Sequence, residues 1–422
     1  KPMKKNYFFP VLLSLICGYL PAQNLILVNG GQYGNPQENV NVQIFDPASS
    51  SSRTIDTVHT NSVQEILIDG DFAFVAAQDS IIKYDLSTEK RIAAAAFPGF
   101  STKALALSRD YLLVGNWYGK SSHNLYVYNR NTLALVDSIQ EISKGVSSIV
   151  VSGGMVQIAQ NSSTANFEDT LGYISLVSLS PLAFYKNIHP GNYSADIGQL
   201  LAVDTILFAI NAASNSILAF NSMDDTMPSI HQLPHDLQVL NSSQHGLFGD
   251  TLFLIWDGKL GSFNLNTRQV QDSVIIDTVV TAFAFDSVRR QFYVTQTDFF
   301  SYNLGGIYNY VGVKQANLPV GFSPEVAAMH YSTSTSLKKY ASMEELGHRI
   351  YPNPANEQIA VEFSSVESNV FLRILDIRGK AVVEKSVASL KANINIADLK
   401  PGIYIVQIYD GHRLGTSKLI KR

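Results

Sequence analysis

Cysteine is almost absent from this chain: Cys17 is the single copy in 422 residues. It lies inside an apolar stretch from Tyr7 to Leu20, after Lys4 and Lys5 and before the small residue Ala22. Charge, apolar run and small-residue boundary in that order are the layout of a secretory signal peptide, here residues 1–22, too short to span a bilayer as an anchor. Leu15 and Ile16 precede Cys17 where a lipoprotein signal needs small residues, so lipidation is not expected. Cleavage after Ala22 leaves no disulfide, no thiolate metal ligand and no cysteine nucleophile. Packing then has to supply the stability.

Charge is also scarce, at 16% of residues. After the signal there are 28 basic and 35 acidic residues, and the acidic excess sits before residue 349, where the counts are 17 and 28. From residue 349 onward they are 11 and 7. An acidic main part argues against nucleic acid or anionic lipid as partners. There is no Gly-x-Ser-x-Gly elbow, no phosphate loop and no calcium-loop signature. His231 and His235 have the spacing of helical metal ligands, but Pro234 stands between them and no metal site is expected. The acidic pairs Asp69 with Asp71 and Asp224 with Asp225 read as solvated turns. No residue is singled out as catalytic, no cofactor is implied, and binding is expected over chemistry.

What the chain has in abundance is aromatic and β-branched residues in short runs, including 22 Phe and 20 Tyr, a composition that favours strands. One pattern recurs: an apolar strand ending in an aromatic, then a small polar residue opening a turn. It anchors at Phe45, Tyr84, Tyr128, Val177, Phe220, Phe263 and Tyr302, spaced by 39, 44, 49, 43, 43 and 39 residues. In "DLST", "NRNT" and "NLNT" the Asp or Asn is expected to bond its own backbone. About four short strands fit each unit, the blade of an all-β, seven-bladed β-propeller over residues 23–335. "PEVAAMHY" at 324 lacks a second strand and "LILVNG" at 25 lacks a first, so the two are expected to complete one blade from both termini. The main rival, a parallel β-helix, wants shorter repeats. "FYVTQ" at 292 and the turn pattern resemble the secreted, YncE-like propellers built from Tyr-Val-Thr-Asn repeats and their surface-binding relatives.

In such a blade the loops between strands 2 and 3, and those leading into strand 1, emerge on one face around the central channel. The residues expected there are Tyr33, Trp117, Tyr118, Lys144, Asn161, Tyr193, Asn211, His245, Trp256, Gln296 and Phe322. Rings supply apolar area and amides supply paired donors and acceptors, which suits a flat or glycosidic ligand. The competing expectation is that the tryptophans pack between blades and the amides cap turns. Lys144 and His245 are the basic groups expected near the channel mouth.

Residues 336–348 read as a linker, and residues 349–422 as six or seven alternating strands of a small immunoglobulin-like β-sandwich. "YPNPANEQIAVEF", "LRILDIRGKAV", "NINIADLKPGIYIVQI" and "SKLIKR" resemble, in that order, the type A C-terminal sorting domain of cargo for the type IX secretion system of Bacteroidota. The family's recurrent residues match Gly379, Gly402, Tyr404, Lys418, Leu419, Ile420 and Lys421. The resemblance implies export across the outer membrane to the surface or beyond, with the secretion machinery and a sortase-like peptidase as partners. The function expected is a monomeric exported propeller that binds a small molecule, glycan or surface protein on its loop face, with a corrinoid as the favoured nutrient. Alternatives are a lactonase-like or lyase-like propeller enzyme and an adhesion or protein-interaction module.

Overall fold

The computed structural model describes residues 23–32, 35, 37–60, 62–99, 101–117, 123–161, 172–179, 181–190, 197–221, 228–237, 246–300, 302–332, 347–363, 370–376, 381–387, 389–409 and 414–422. These residues form strands β1 to β35 and no helix. The signal segment 1–22, most of the linker, Tyr33, Tyr118, Tyr193, His245 and Gly379 lie outside the described residues. The chain divides into two compact units, one of them residues 22–333 and the other containing residues 334–422.

The larger unit contains seven four-stranded antiparallel sheets. The first is built from both ends of the unit, in the order β28 (Pro324–Tyr331), β1 (Gln23–Asn29), β2 (Val40–Asp46), β3 (Ser51–Val58). Leu25 pairs with Met329 on one side and Phe45 on the other, as the orphan runs at the two ends require. The other six follow in chain order: β4–β7 (65–96), β8–β11 (102–139), β12–β15 (146–188), β16–β19 (197–232), β20–β23 (246–276) and β24–β27 (282–317).

Closure is visible in the packing. Along β1, Ile26 and Val28 face Val75, Ile82 and Tyr84 of the second blade. Leu25 and Leu27 face Ala284, Tyr293 and Ile307 of the seventh. Five further clusters join blades two to three, three to four, four to five, five to six and six to seven. Alternate residues of each inner strand therefore enter different interfaces, which is why these strands read as continuous apolar runs and not as strict alternation. Each fully buried Leu, Ile or Phe side chain contributes about 1.5–3 kcal/mol. Opening any one interface would expose a whole cluster, so the ring is the folding unit.

Six anchors, Phe45, Tyr84, Tyr128, Val177, Phe220 and Phe263, are buried at the ends of third strands. The seventh expectation fails: Tyr302 is exposed, and the buried equivalent is Tyr308 in β26 (Asn303–Asn309). Gly305 and Gly306 occupy the middle of that strand, where a Cβ would overlap the Leu318 carbonyl and the Tyr308 ring respectively. The expected turns do form. Asp85 Oδ1 accepts the amide of Ser87, Asn129 Oδ1 those of Asn131 and Thr132, and Asn264 Oδ1 those of Asn266 and Thr267, all within 3.0 Å.

The smaller unit packs β29 (His348–Tyr351), β30 (Gln358–Phe363) and β33 (Lys391–Asn395) as one sheet. The second holds β32 (Ala381–Val387), β31 (Val370–Leu375), β34 (Gly402–Tyr409) and β35 (Leu414–Lys421), in that order. Inward residues of both sheets, among them Ile359, Ile394, Leu372, Val406 and Leu419, share one core, so the unit is a seven-stranded sandwich. The first strand begins at His348, within the stretch expected to be linker.

Candidate functional site on the loop face

Backbone hydrogen bonds tie the loops between second and third strands to the segments that lead into first strands. Trp117 N–H donates to the Ser101 carbonyl (2.9 Å), Asn161 N–H to Gly145 (2.9 Å), Asp257 N–H to Asp236 (2.9 Å) and Gly31 N–H to Phe322 (3.3 Å). Both loop sets thus share one face, as expected.

The amides that end several second strands act as clasps there. Asn29 Oδ1 accepts Gly321 N–H (3.1 Å), Asn116 Oδ1 accepts Ser101 N–H (3.1 Å) and Gln160 Oε1 accepts Lys144 N–H (2.9 Å). Their NH2 groups reach the third strand or the residue just before it: Asn41 (2.7 Å), Asn124 (2.8 Å) and the Ser175 hydroxyl. A buried amide with two acceptor lone pairs and two donors satisfies backbone groups that a bulged or looped segment leaves unpaired.

Two expected ligand residues belong to this structural work. Asn211 is buried and its Oδ1 accepts Ser214 N–H (3.0 Å). Trp256 is fully buried between blades five and six. Its indole N–H donates to the Ser273 carbonyl (2.6 Å), His235 stacks on it at 5.0 Å, and Gly261 gives it room. Trp256 therefore belongs to the core and not to a cup. Trp117 is half-buried under the ammonium of Lys103, 3.8 Å from the ring centroid, and Lys144 lies 5.1 Å from the ring of Tyr173. Asn161 and Phe322 are part-exposed on the loop face.

First strands carry β-bulges at this end: between Thr102 and Leu105, Val146 and Ser148, Ile197 and Gln199, and at Glu325, which opposes the step from Val28 to Asn29. Bulges re-aim side chains, and three neighbouring first strands contribute buried Glu325, Glu65 and Lys103. Each has structural work to do. Glu65 Oε2 accepts Leu105 N–H (2.6 Å) from the next blade, Glu325 Oε1 accepts the Ser323 hydroxyl (2.7 Å), and Lys103 covers Trp117. Lys103 was missed in the sequence because "TKALAL" reads as an ordinary alternating strand.

The largest departure from expectation is at the seventh blade. The stretch that imitates the repeat, "FFSYNL", is not the third strand it imitates: Phe299, Phe300 and Tyr302 precede β26 and Leu304 is its second residue, and these four side chains are 37%, 72%, 39% and 56% exposed. The stretch is held in shape. Phe299 has a φ of +68°, and Asp298 Oδ1 accepts the amides of Phe300 (3.0 Å) and Tyr302 (3.1 Å). Beside it a cleft of about 470 Å³ is lined by Thr278, Gln296, Asn303, Leu304, Lys314 and Asn317. Gln296 donates to the Thr278 hydroxyl (3.1 Å) within it, and burial raises the pKa of the lining Tyr308, which stays a neutral phenol.

Polar pairs elsewhere tie blades together. Asp69 pairs with Arg130 and Asp71 with His330 (3.0 Å), so neither is merely solvated as expected; Asp224 and Asp225 lie outside the described residues. His231 sits by Ser229 and Phe263, whereas His235 bonds Asp257 (2.7 Å), and no metal-holding group is found among the described residues.

In the sandwich, Tyr404 is buried and donates to the Lys400 carbonyl (2.8 Å), and Leu419 is in the core. Lys418 and Gly402 are exposed, Gly402 beside the ring of Tyr404, and Ile420 and Lys421 are part-exposed.

Residues 349–422 match the family model of the secretion system C-terminal sorting domain. No curated protein matches the sequence. A functionally unknown protein from Desulfotomaculum acetoxidans is similar in structure at 11% identity and a TM-score of 0.53, over 74% of this chain and 99% of that one, which shows the fold alone. PorZ, a surface component of the type-IX secretion system of Porphyromonas gingivalis, gives 10% identity and a TM-score of 0.45, over 94% of this chain and 58% of its own. The Dos1 propeller gives 13% and 0.49, over 70% and 78%. The sorting domain directs secretion across the outer membrane, to the cell surface or the extracellular space, through the type IX machinery.

Proposed function

We propose that this exported propeller works by recognition, binding a flat amphipathic ligand at the loop-face tip of its seventh blade. The observation that carries the reading is the ordered exposure of Phe299, Phe300, Tyr302 and Leu304 next to a cleft lined by Gln296, Asn303 and Asn317. Large rings in water cost solubility and contribute nothing to the fold, so their retention in a fixed shape fits a binding surface. Rings stack on apolar ligand faces while amides and a neutral phenol satisfy hydroxyl or amide groups. A glycan has that chemistry. A corrinoid shares the flat apolar face and is a second arm of the same test. Recognition of a surface protein is favoured by the apolar tip alone. Removal of residues 349–422 by a sortase-like peptidase would leave the propeller to act alone, and the intact mass of surface-exposed protein reads this.

The test is a thermal-shift screen of the full chain against glycans, cobamides, haem and lactones. A ligand at 100 times its dissociation constant should stabilise by about 2.7 kcal/mol, and Phe300→Ser with Tyr302→Ser should abolish the shift. A shift that survives this double substitution would move the site elsewhere. Absence of any shift would leave a protein partner as the reading.

A further inference from the structure

The C-terminal strand of the sorting domain has a covered edge. One side of β35 pairs along its length with β34, from Gly402 with Lys421 to Tyr409 with Leu414. On the other side Ala355 N–H donates to the Ile420 carbonyl and Arg422 N–H to the Ala355 carbonyl, both at 2.9 Å. Asn353 completes the ladder with its side chain. Its Oδ1 accepts Ile420 N–H (2.9 Å) and its Nδ2 donates to the Lys418 carbonyl (2.6 Å). Residues 353–355 therefore fill the outward backbone groups of residues 418–422 as a short extra strand, with Ala355 bridged in parallel to Lys421.

The composition of this cover explains its shape. Pro352 and Pro354 have no N–H, so the cover offers no donor there and the sheet is not extended beyond it. The side-chain amide of Asn353 supplies the donor that its flanking prolines lack, and an acceptor beside it. Yet the cover is lightly held: residues 352–354 are exposed and only Ala355 is buried. Exposed hydrogen bonds with little buried apolar surface mark segments that open locally at low cost.

We propose that residues 352–355 are a removable cover, and that the export machinery engages this domain by adding an extended strand to the edge of β35 once the cover lifts. Pairing would use the Lys418 carbonyl, both backbone groups of Ile420 and Arg422 N–H, the mode of β-augmentation. Lys418 and Ile420 lie opposite Ile405 and Ile403, which are 42% and 48% exposed on the same face. The incoming strand therefore meets apolar positions beside a basic one, and apolar and acidic side chains suit it.

Residues 23–422 contain no cysteine, so one introduced pair has no competing thiol. Ala355→Cys with Lys421→Cys, in the full chain, joins cover to strand, because bridged neighbours lie within disulfide range. In a host with type IX export, surface display should fall on the order of tenfold below either single variant, since the staple removes the open state. Reductant should restore it. Display of the stapled chain at the level of the single variants would overturn the proposal. As a second measurement, Asn353→Ala should keep display while speeding amide exchange at Ile420. Loss of display by Asn353→Ala, with exchange in the rest of the sandwich unchanged, would also overturn it, because the cover would then be part of what is read.

Discussion

Gly30 lies against the carboxylate of Glu325, so close that a Cβ at position 30 would overlap Oε1. Gly30 follows the first strand of the chain and Glu325 lies in the last strand of the ring, so the contact sits at ring closure. Gly30 N–H donates to the Ser323 carbonyl (2.6 Å) and the Ser323 hydroxyl donates to Glu325. Gly30→Ala should destabilise the propeller by about 1–3 kcal/mol through overpacking. Adding Glu325→Ala should cost less than the sum of the two singles, because they share one contact. Urea denaturation of the three variants measures this.

The amide clasps make a second expectation. Asn116→Ala leaves the Ser101 amide and Asn124 Oδ1 without the Asn116 side chain as partner in a buried site, which costs about 1–3 kcal/mol. Ligand affinity should not change, since neither group faces the seventh-blade tip. Denaturation and binding measured on one preparation separate the two effects.

Trp256 provides the contrast between core and surface rings. Trp256→Phe leaves the Ser273 carbonyl without its indole donor and opens space over Gly261, for a loss of about 1–3 kcal/mol. Phe300→Ser should leave stability within about 0.5 kcal/mol of the parent while lowering binding of a hydrophobic dye. Parallel melting curves and dye titrations read both.

Acid should act partly through Asp257. The Asp236 amide (2.9 Å), and then His235, hold its carboxyl below the ordinary carboxylate value of 3.8. A folded value lowered in this way means that the contribution is fully present above pH 3.8 and is lost as pH falls through the folded value. The stability difference between the parent and Asp257→Asn should therefore be constant above pH 3.8 and shrink below it. Denaturation midpoints at a series of acidic pH values check the sign.

Much of the architecture is legible in the residues. Val177 shows why the repeat survives degeneracy: without an aromatic it still packs in the interface between blades three and four, since an interface needs apolar volume more than a given ring. Tyr302 shows the limit. Its neighbourhood matches the pattern, but the third strand of the seventh blade begins one residue later and its buried anchor is Tyr308. Asn211 and Trp256 have chemistry that suits a ligand, and that same chemistry suits a buried backbone group. The masking worked the other way at Lys103, where a burial site reads as an ordinary polar position.

By itself the sequence determined an exported, seven-unit β array closed by its own ends and followed by a sorting sandwich. Repeat spacing, apolar runs and tail motifs are local properties, and they survive any detail of packing. Only the tertiary structure decided which aromatics are spent on the interfaces and which remain in water, and that Asn353 closes the edge of Ile420 from 67 positions away. Those outcomes depend on which backbone groups each side chain finds unpaired when distant strands meet, and spacing along the chain does not record that.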